Sequence, residues 1–247
     1  NLFFTVGESL SRTSLDLPGR QLELLQAVQA TGTPVVLVLI NGRPISINWA
    51  DAHVPAILEA WFPGDHGGTA IADALFGDYN PGGKLTVTFP RSAGQLPYNF
   101  PSKPNAQSEL EKSRVNGALY YFGHGLSYTT FAYDNLRIEP ARVPAGGDVT
   151  VRVDVRNSGA RAGDEVVQLY TRDLVSSVTT YEKNLRGFAR VHLQPGQTRT
   201  LAFTLKPADL ALLDRQMRRV VEPGTFRVML GGGSEDIRQQ GEFEVLP

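Results

Sequence analysis

The amino-acid sequence predicts an α/β layer followed by an all-β domain. In the first part of the chain, apolar residues at helical spacing are followed by a continuous apolar, β-branched run over 34–40. This alternation is typical of a mostly parallel sheet with flanking helices. After residue 131, short alternating polar and apolar segments are separated by glycine and proline turns, which is typical of an antiparallel β-sandwich. A chain of 247 residues is long enough for two such domains.

The elements of the α/β part follow one another closely. Their predicted order is a helix over 18–32, a strand over 34–40, a strand over 56–62, a helix over 69–76 and a strand over 85–89. Pro18 suits the first turn of a helix and Gly32 suits its C-terminal cap. The run 34–40 reads as a strand buried on both faces. Right-handed crossovers place the loops 41–44 and 63–68 at the carboxyl edge of the sheet, where open α/β sheets bind ligands.

The C-terminal part contains six predicted strands. They lie at 148–156, 165–170, 185–193, 198–205, 225–230 and 242–246. Strands at this spacing predict a sandwich of fibronectin type III or immunoglobulin architecture. The proline-rich, polar stretch between the two parts has no usable periodicity and marks a boundary. We therefore expect an α/β domain over 1–100, a linker and interdomain segment over 101–130, and a β-sandwich over 131–247.

Composition excludes several classes of partner and chemistry. The charges of the 24 basic and 25 acidic residues nearly cancel, and the sequence has no cluster of basic residues that could neutralise phosphate groups. Nucleic acid and anionic membranes are therefore not expected partners. No apolar run approaches the ~18 residues that span a bilayer. The chain has no cysteine, and its four histidines lack metal-ligand spacing, so we expect neither a metal nor another cofactor. The compartment stays open, with the periplasm or the cell exterior preferred to the cytoplasm.

A run near the start of the chain places a carboxylate on a glycine-containing turn ahead of the first predicted helix. This run is Gly7-Glu8-Ser9-Leu10-Ser11-Arg12-Thr13, and it resembles the acid/base loop of glycoside hydrolase family 3. The resemblance continues through Asn41-Gly42-Arg43-Pro44, Pro63-Gly64-Asp65-His66-Gly67-Gly68, Gly82-Gly83-Lys84-Leu85-Thr86-Val87-Thr88-Phe89-Pro90, Tyr121-Phe122-Gly123-His124-Gly125-Leu126-Ser127-Tyr128-Thr129-Thr130-Phe131 and Leu185-Arg186-Gly187-Phe188. It covers essentially the whole chain.

The resemblance implies one part of a three-part enzyme of the β-glucosidase and β-xylosidase type. In that family, an N-terminal (β/α)8 barrel carries an aspartate nucleophile, an α/β sandwich carries an acid/base glutamate, and a fibronectin-like domain braces both. This chain looks like a partial α/β sandwich plus the fibronectin type III-like domain. The resemblance therefore implies that the barrel portion is a partner, either as a separate chain or as another segment of the same one.

Glu8 is the candidate catalytic residue. Cleavage of a glycosidic bond needs an acid that protonates the leaving oxygen and a second carboxylate that acts as nucleophile or base. The resemblance places Glu8 at the acid/base position. From residue type alone, Glu8 is an exposed glutamate near a terminus. Family members often carry a longer loop with two Gly-Glu pairs, so Glu8 also matches the other of those glutamates.

Three further residues are candidates for substrate binding. Arg12 either holds the loop or pairs with a carboxylate, and the alternative is a surface arginine. Asn41 and Arg43 follow a strand and suit sugar hydroxyls or the orientation of a neighbouring carboxylate. The alternative for these two residues is a turn that Arg43 stabilises by pairing.

The sequence thus predicts the C-terminal part of a retaining β-glycosidase that acts on oligosaccharides. A β-glucosidase is the preferred form, with the sugar and linkage left open because barrel residues would select them. No residue of this chain matches the motif of the nucleophile. The alternative is a non-catalytic carbohydrate-binding or scaffold module.

Overall fold

The computed structural model describes residue 7, residues 10–104 and residues 117–247. Contacts divide the chain into two compact units. The first takes its described residues from 1–79, 87–98 and 107–121, and the second takes them from 80–86, 99–106 and 122–247. Each unit is therefore assembled from three stretches of chain. The division into domains 1–100, 101–130 and 131–247 stays a prediction.

The first unit combines helices with a parallel strand pair, which confirms the predicted α/β class. It contains α1 (Gln21–Gln29), β1 (Val36–Leu39), α2 (Asn48–His53), β2 (Ala56–Glu59), α3 (Gly67–Phe76) and a 3₁₀ turn (Ala93–Gln95). β1 and β2 pair in parallel, with Val36 opposite Ala56 and Leu39 opposite Glu59. Parallel pairing brings the ends of both strands to the same edge of the sheet.

Two backbone conformations shorten the predicted elements of this unit. Gly19 has φ of 60°, in the left-handed region, so the helix begins at Gln21 and not at Pro18. Trp61 has φ of 52°, which no strand residue adopts, and β2 ends at Glu59. β1 is less covered than predicted, because Val36 is 50% exposed within the part of the chain that the structure describes.

The predicted strand over 85–89 is wrong. Leu85 exchanges two backbone hydrogen bonds with Gly123 and His124, at 2.7 and 2.8 Å, whereas Phe89 forms an isolated antiparallel bridge with Tyr120. The two ends of the segment thus pair with different partners in different units, so no continuous strand forms.

The second unit is a β-sandwich, as predicted. Its elements are β3 (Phe131–Glu139), β4 (Arg142–Pro144), β5 (Val149–Asn157), β6 (Gly163–Asp173), β7 (Asn184–Leu193), β8 (Thr198–Leu205), α4 (Pro207–Leu210), β9 (Leu212–Leu213), β10 (Arg219–Val220), β11 (Gly224–Gly231) and β12 (Ile237–Leu246). One sheet has the order β4-β12-β11-β6-β7, and the other has the order β3-β5-β8. All pairs are antiparallel except β12 with β4.

Alternating side chains build the core of the sandwich. On β5, every second residue from Val149 to Val155 is fully buried and the residues between them are not. Leu169 of β6 and Leu230 of β11 are also fully buried. Each such side chain stabilises the fold by roughly 1.5–3 kcal/mol through removal of apolar surface from water.

Residues 80–86 belong to the second unit, and two of their polar side chains form hydrogen bonds with it. Asn80 Nδ2 donates to Ala162 O at 2.9 Å, and Lys84 Nζ donates to Gly125 O at 3.0 Å. Lys84 Nζ also lies 3.8 Å from the buried Glu165 carboxylate.

No described helix is long and apolar enough to cross a bilayer.

Candidate active-site loops at the edge of the parallel strands

The loops that follow β1 and β2 leave the same edge of the sheet. Ala60 N donates to Leu39 O at 2.9 Å, which continues the pairing by one residue beyond β2. Asn41 lies two residues after β1, and Glu59 is the last residue of β2. This edge therefore brings together an amide that the sequence singled out and a carboxylate that it did not.

The Asn41 amide and the Glu59 carboxylate are in direct contact. As placed, Asn41 Nδ2 donates to Glu59 Oε2 at 3.3 Å. When the oxygen and nitrogen of the amide are exchanged, the nitrogen donates to Glu59 Oε1 at 3.2 Å and to Arg43 O at 3.3 Å. This orientation satisfies the hydrogen-bonding requirements of both amide atoms. In either orientation the Glu59 carboxylate holds the first residue of the Asn41–Arg43 loop.

Glu59 also fixes the chain that follows β2. Trp61 N donates to Glu59 Oε1 at 3.0 Å, and Trp61 carries the left-handed φ that ends the strand. Burial raises the pKa of the Glu59 carboxyl, although the bonds from Trp61 and Asn41 favour its ionised form. The signal for Glu59 in the sequence was a lone carboxylate inside the apolar run 56–62, which reads there only as strand.

The loop after β1 is joined to the segment that precedes α1 at two points. Arg43 Nη2 donates to Leu10 O at 2.9 Å, and Ser46 N donates to Leu15 O at 2.9 Å. Leu10 N in turn donates to Gly7 O at 3.2 Å. The hydrogen bonds of Arg43 and Ser46 thus hold the backbone of the N-terminal segment against this edge of the sheet.

The predicted catalytic residue Glu8 lies outside the described residues. Gly7 precedes it in the sequence, and Leu10, two residues after it, accepts a hydrogen bond from Arg43. The position of the Glu8 carboxylate, and thus its role, stays a prediction.

The structure brings Arg12, Asn41 and Arg43 together. They line one cavity of about 500 Å³ whose other walls are largely aliphatic side chains of α1 and β1. Arg12 Nη2 donates to Asp16 O at 2.6 Å, within its own segment. All three side chains therefore bond protein groups, and contact with substrate stays a prediction for each of them.

The described residues contain no group of three or more His, Asp or Glu side chains arranged to hold a metal ion. Among the described residues of the first unit, Glu59 is the one carboxyl group whose pKa is raised. General acid/base chemistry, by a carboxyl group on or near this edge, is the chemistry that the arrangement can supply.

The amino-acid sequence of the chain matches two family profiles and several characterised proteins. A profile of the glycosyl hydrolase family 3 C-terminal domain matches residues 3–128, and a profile of the fibronectin type III-like domain matches residues 165–234. A β-xylosidase of Formosa agariphila is 46% identical over 94% of this chain and 32% of its own length. A periplasmic β-glucosidase of Salmonella typhimurium is 43% identical over 97% of this chain and 32% of its own length.

Solved structures agree with these matches. A β-glucosidase of Erythrobacter marinus superposes with a TM-score of 0.91 at 41% identity, covering 99% of this chain and 32% of that one. A Listeria innocua β-glucosidase in complex with glucose superposes with a TM-score of 0.93 at 34% identity, covering 98% and 35%. The chain thus spans about a third of the length of these relatives.

Proposed function

Since the chain belongs to glycoside hydrolase family 3, as a C-terminal part, we propose that it works within a retaining β-glycosidase to which it contributes the acid/base residue Glu8. The observation that carries this proposal is the family match over residues 3–128 in a chain that spans a third of its relatives. A barrel portion, in the same or a separate polypeptide, supplies the nucleophile. This chain together with that portion is called the complete enzyme below.

The proposed chemistry divides two proton transfers between two steps. Glu8 protonates the glycosidic oxygen as the nucleophile attacks, and then takes a proton from the water that hydrolyses the glycosyl-enzyme. Retention requires two carboxyl groups about 5–5.5 Å apart. With no nucleophile motif of its own, this chain requires a second carboxylate from elsewhere.

The proposed substrate is a terminal β-linked glucose or xylose of an oligosaccharide. Relatives at 46% and 43% identity are named for xyloside and glucoside hydrolysis, so both sugars stay within the proposal. The periplasm is the proposed compartment, because the Salmonella typhimurium relative is described as periplasmic.

The test compares the isolated chain with the complete enzyme. We expect hydrolysis of aryl β-glucosides and β-xylosides by the complete enzyme and none by the isolated chain, because one carboxyl group cannot perform double displacement. Turnover by the isolated chain, or an inactive complete enzyme that is folded, would contradict the proposal. Calorimetric binding of cellooligosaccharides to the isolated chain, with an inactive complete enzyme, would instead favour a carbohydrate-binding module.

A further inference from the structure

The loop that joins β6 to β7, residues 174–183, borders a cavity of about 620 Å³ in the second unit. The cavity is lined by Pro104, Arg172, Asp173, residues 174–180 and Arg215, all of which belong to that unit. Pockets that bind small molecules commonly measure roughly 300–1,000 Å³. The cavity is therefore large enough for a small ligand.

Hydrogen bonds and an ion pair within the second unit hold this loop in place. The Glu222 carboxylate accepts two hydrogen bonds, from Ser177 N at 2.8 Å and from Ser177 Oγ at 2.5 Å. Near the other end of the loop, Glu182 forms an ion pair with Arg172 of β6. A ligand that enters a preformed cavity does not have to order its walls, so less of the binding free energy is lost.

The lining residues carry several hydrogen-bond donors and one carboxylate. The carboxylate is that of Asp173, whose Oδ1 accepts a hydrogen bond from Val175 N at 3.2 Å. Its buried Oδ2 has no hydrogen-bond partner within the described part of the chain. An acceptor left unpaired has a free-energy cost, which a donor on a ligand removes. Guanidinium and hydroxyl groups are supplied by Arg172, Ser176, Ser177, Thr179, Thr180 and the exposed Arg215.

The charges around the cavity favour a neutral ligand. Arg172 and Arg215 repel a cation, and among the described residues no three His, Asp or Glu side chains are arranged to hold a metal ion. An anion would lie beside the Asp173 carboxyl group and near Glu222, whose charge acts on Asp173. A neutral molecule with several hydroxyl groups suits both kinds of side chain, because each hydroxyl can donate and accept a hydrogen bond.

Asp173 lowers the stability of the fold at neutral pH. Burial raises the pKa of its carboxyl group to about 6, so ionisation is disfavoured in the folded state. Carboxyl groups with perturbed pKa values in a cleft are characteristic of functional sites. An aspartate at this position is therefore better explained by binding than by the stability of the sandwich.

We propose that this cavity binds a neutral sugar: Asp173 accepts a hydrogen bond from one ligand hydroxyl, and Arg215 donates a hydrogen bond to another ligand oxygen. The cavity binds the sugar and cleaves no bond. Its existence does not depend on Glu8. Only the choice of sugars for the test rests on the proposed function, which names β-linked glucose and xylose.

Isothermal titration calorimetry of the 247-residue chain with cellobiose and with xylobiose at pH 8 tests the proposal. We expect saturable binding of at least one of the two disaccharides. Asp173→Asn keeps the shape of the side chain but removes the charge of the acceptor, and a hydrogen bond to a charged group is the stronger kind. The Kd should therefore rise about 10-fold. Arg215→Ala, at an exposed position, should raise the Kd by a similar factor because it removes a charged donor.

Two matched variants at exposed positions of the same unit are the controls. Asp148→Asn precedes β5 and Arg199→Ala lies on β8, and both should retain the Kd of the unsubstituted chain. Asp173→Asn should also melt at a higher temperature than the unsubstituted chain at pH 8, so its weaker binding cannot result from unfolding.

Three results would overturn the proposal. The first is the absence of binding for both disaccharides, and the second is an unchanged Kd in Asp173→Asn and Arg215→Ala. The third is saturable binding of calcium chloride or sodium phosphate in place of the disaccharides, which would assign the cavity to an ion. Hydrolysis by the complete enzyme does not enter this test, so the proposal for the cavity and the proposal for Glu8 can fail separately.

Discussion

At the scale of single residues, burial raises the pKa of carboxyl groups that the sequence alone shows only as acidic residues. Glu59, Glu165 and Asp173 all have pKa values raised by burial. Glu165 keeps a hydroxyl donor, Tyr133 OH at 2.9 Å, and lies near Lys84. Asp173 Oδ1 accepts a hydrogen bond from Val175 N at 3.2 Å, whereas its buried Oδ2 has no hydrogen-bond partner within the described part of the chain.

Asp173 makes stability depend on pH. Burial, with a contribution from Glu222, raises its pKa to about 6 from 3.8. Between these values the folded state binds more protons than the unfolded state, so the free energy of unfolding falls as pH rises from about 4 to about 6. Asp173→Asn removes this loss. Because the group is only partly buried, we expect a gain on the order of 1 kcal/mol at pH 8, seen as about 2–4 °C in melting temperature, and none at pH 4.

The matched control is Asp148→Asn, an exposed aspartate just before β5. Its melting temperature should follow that of the unsubstituted chain at both pH values. A gain in Asp173→Asn that is the same at pH 4 and pH 8 would show that the carboxyl group is not the cause.

At the scale of elements, strands with regular alternation could be predicted and interrupted strands could not. β5 alternates without a break, and the prediction of 148–156 matches Val149–Asn157 within one residue. β3 was missed because its alternation breaks between Asp134 and Arg137, where the register shifts and Asn135 has φ of 55°. The strand predicted over 85–89 failed for the opposite reason, since an apolar pattern is present without a continuous partner.

Phe131 begins β3 and packs in the core of the sandwich at 7% exposure, whereas Tyr128, three residues earlier, is 48% exposed. Phe131→Ala should therefore lower the free energy of unfolding by about 3–5 kcal/mol. Tyr128→Ala should cost at most about 1 kcal/mol, through loss of its contact with the Arg161 guanidinium. Urea denaturation of the two variants measures the difference, and equal losses would contradict this placement of β3.

At the scale of the whole molecule, the class of each unit could be predicted from periodicity, but its assembly from separate stretches could not. Residues 80–86 join the sandwich unit through contacts of Asn80 and Lys84 with residues far away in the sequence. No local sequence pattern predicts contacts between residues that are so far apart in the sequence. The candidate site shows the same limit. Asn41 and Arg43 were predicted as candidates because they follow a strand, and their role stays a prediction. The contact of Asn41 with Glu59 could not be predicted, because it depends on which strand lies beside β1.

The central claim is that Glu8 is the acid/base residue of a retaining β-glycosidase, and azide rescue of Glu8→Ala in the complete enzyme tests it most directly. We expect kcat/KM for cellobiose to fall by about 10²- to 10⁴-fold, the usual span for general acid/base catalysis. Azide attacks the glycosyl-enzyme without a base, so it should accelerate turnover of 2,4-dinitrophenyl β-glucoside and yield β-glucosyl azide, identified by its NMR coupling constant. Unchanged cellobiose hydrolysis, no azide product or the α-anomer of that product would contradict the assignment of Glu8.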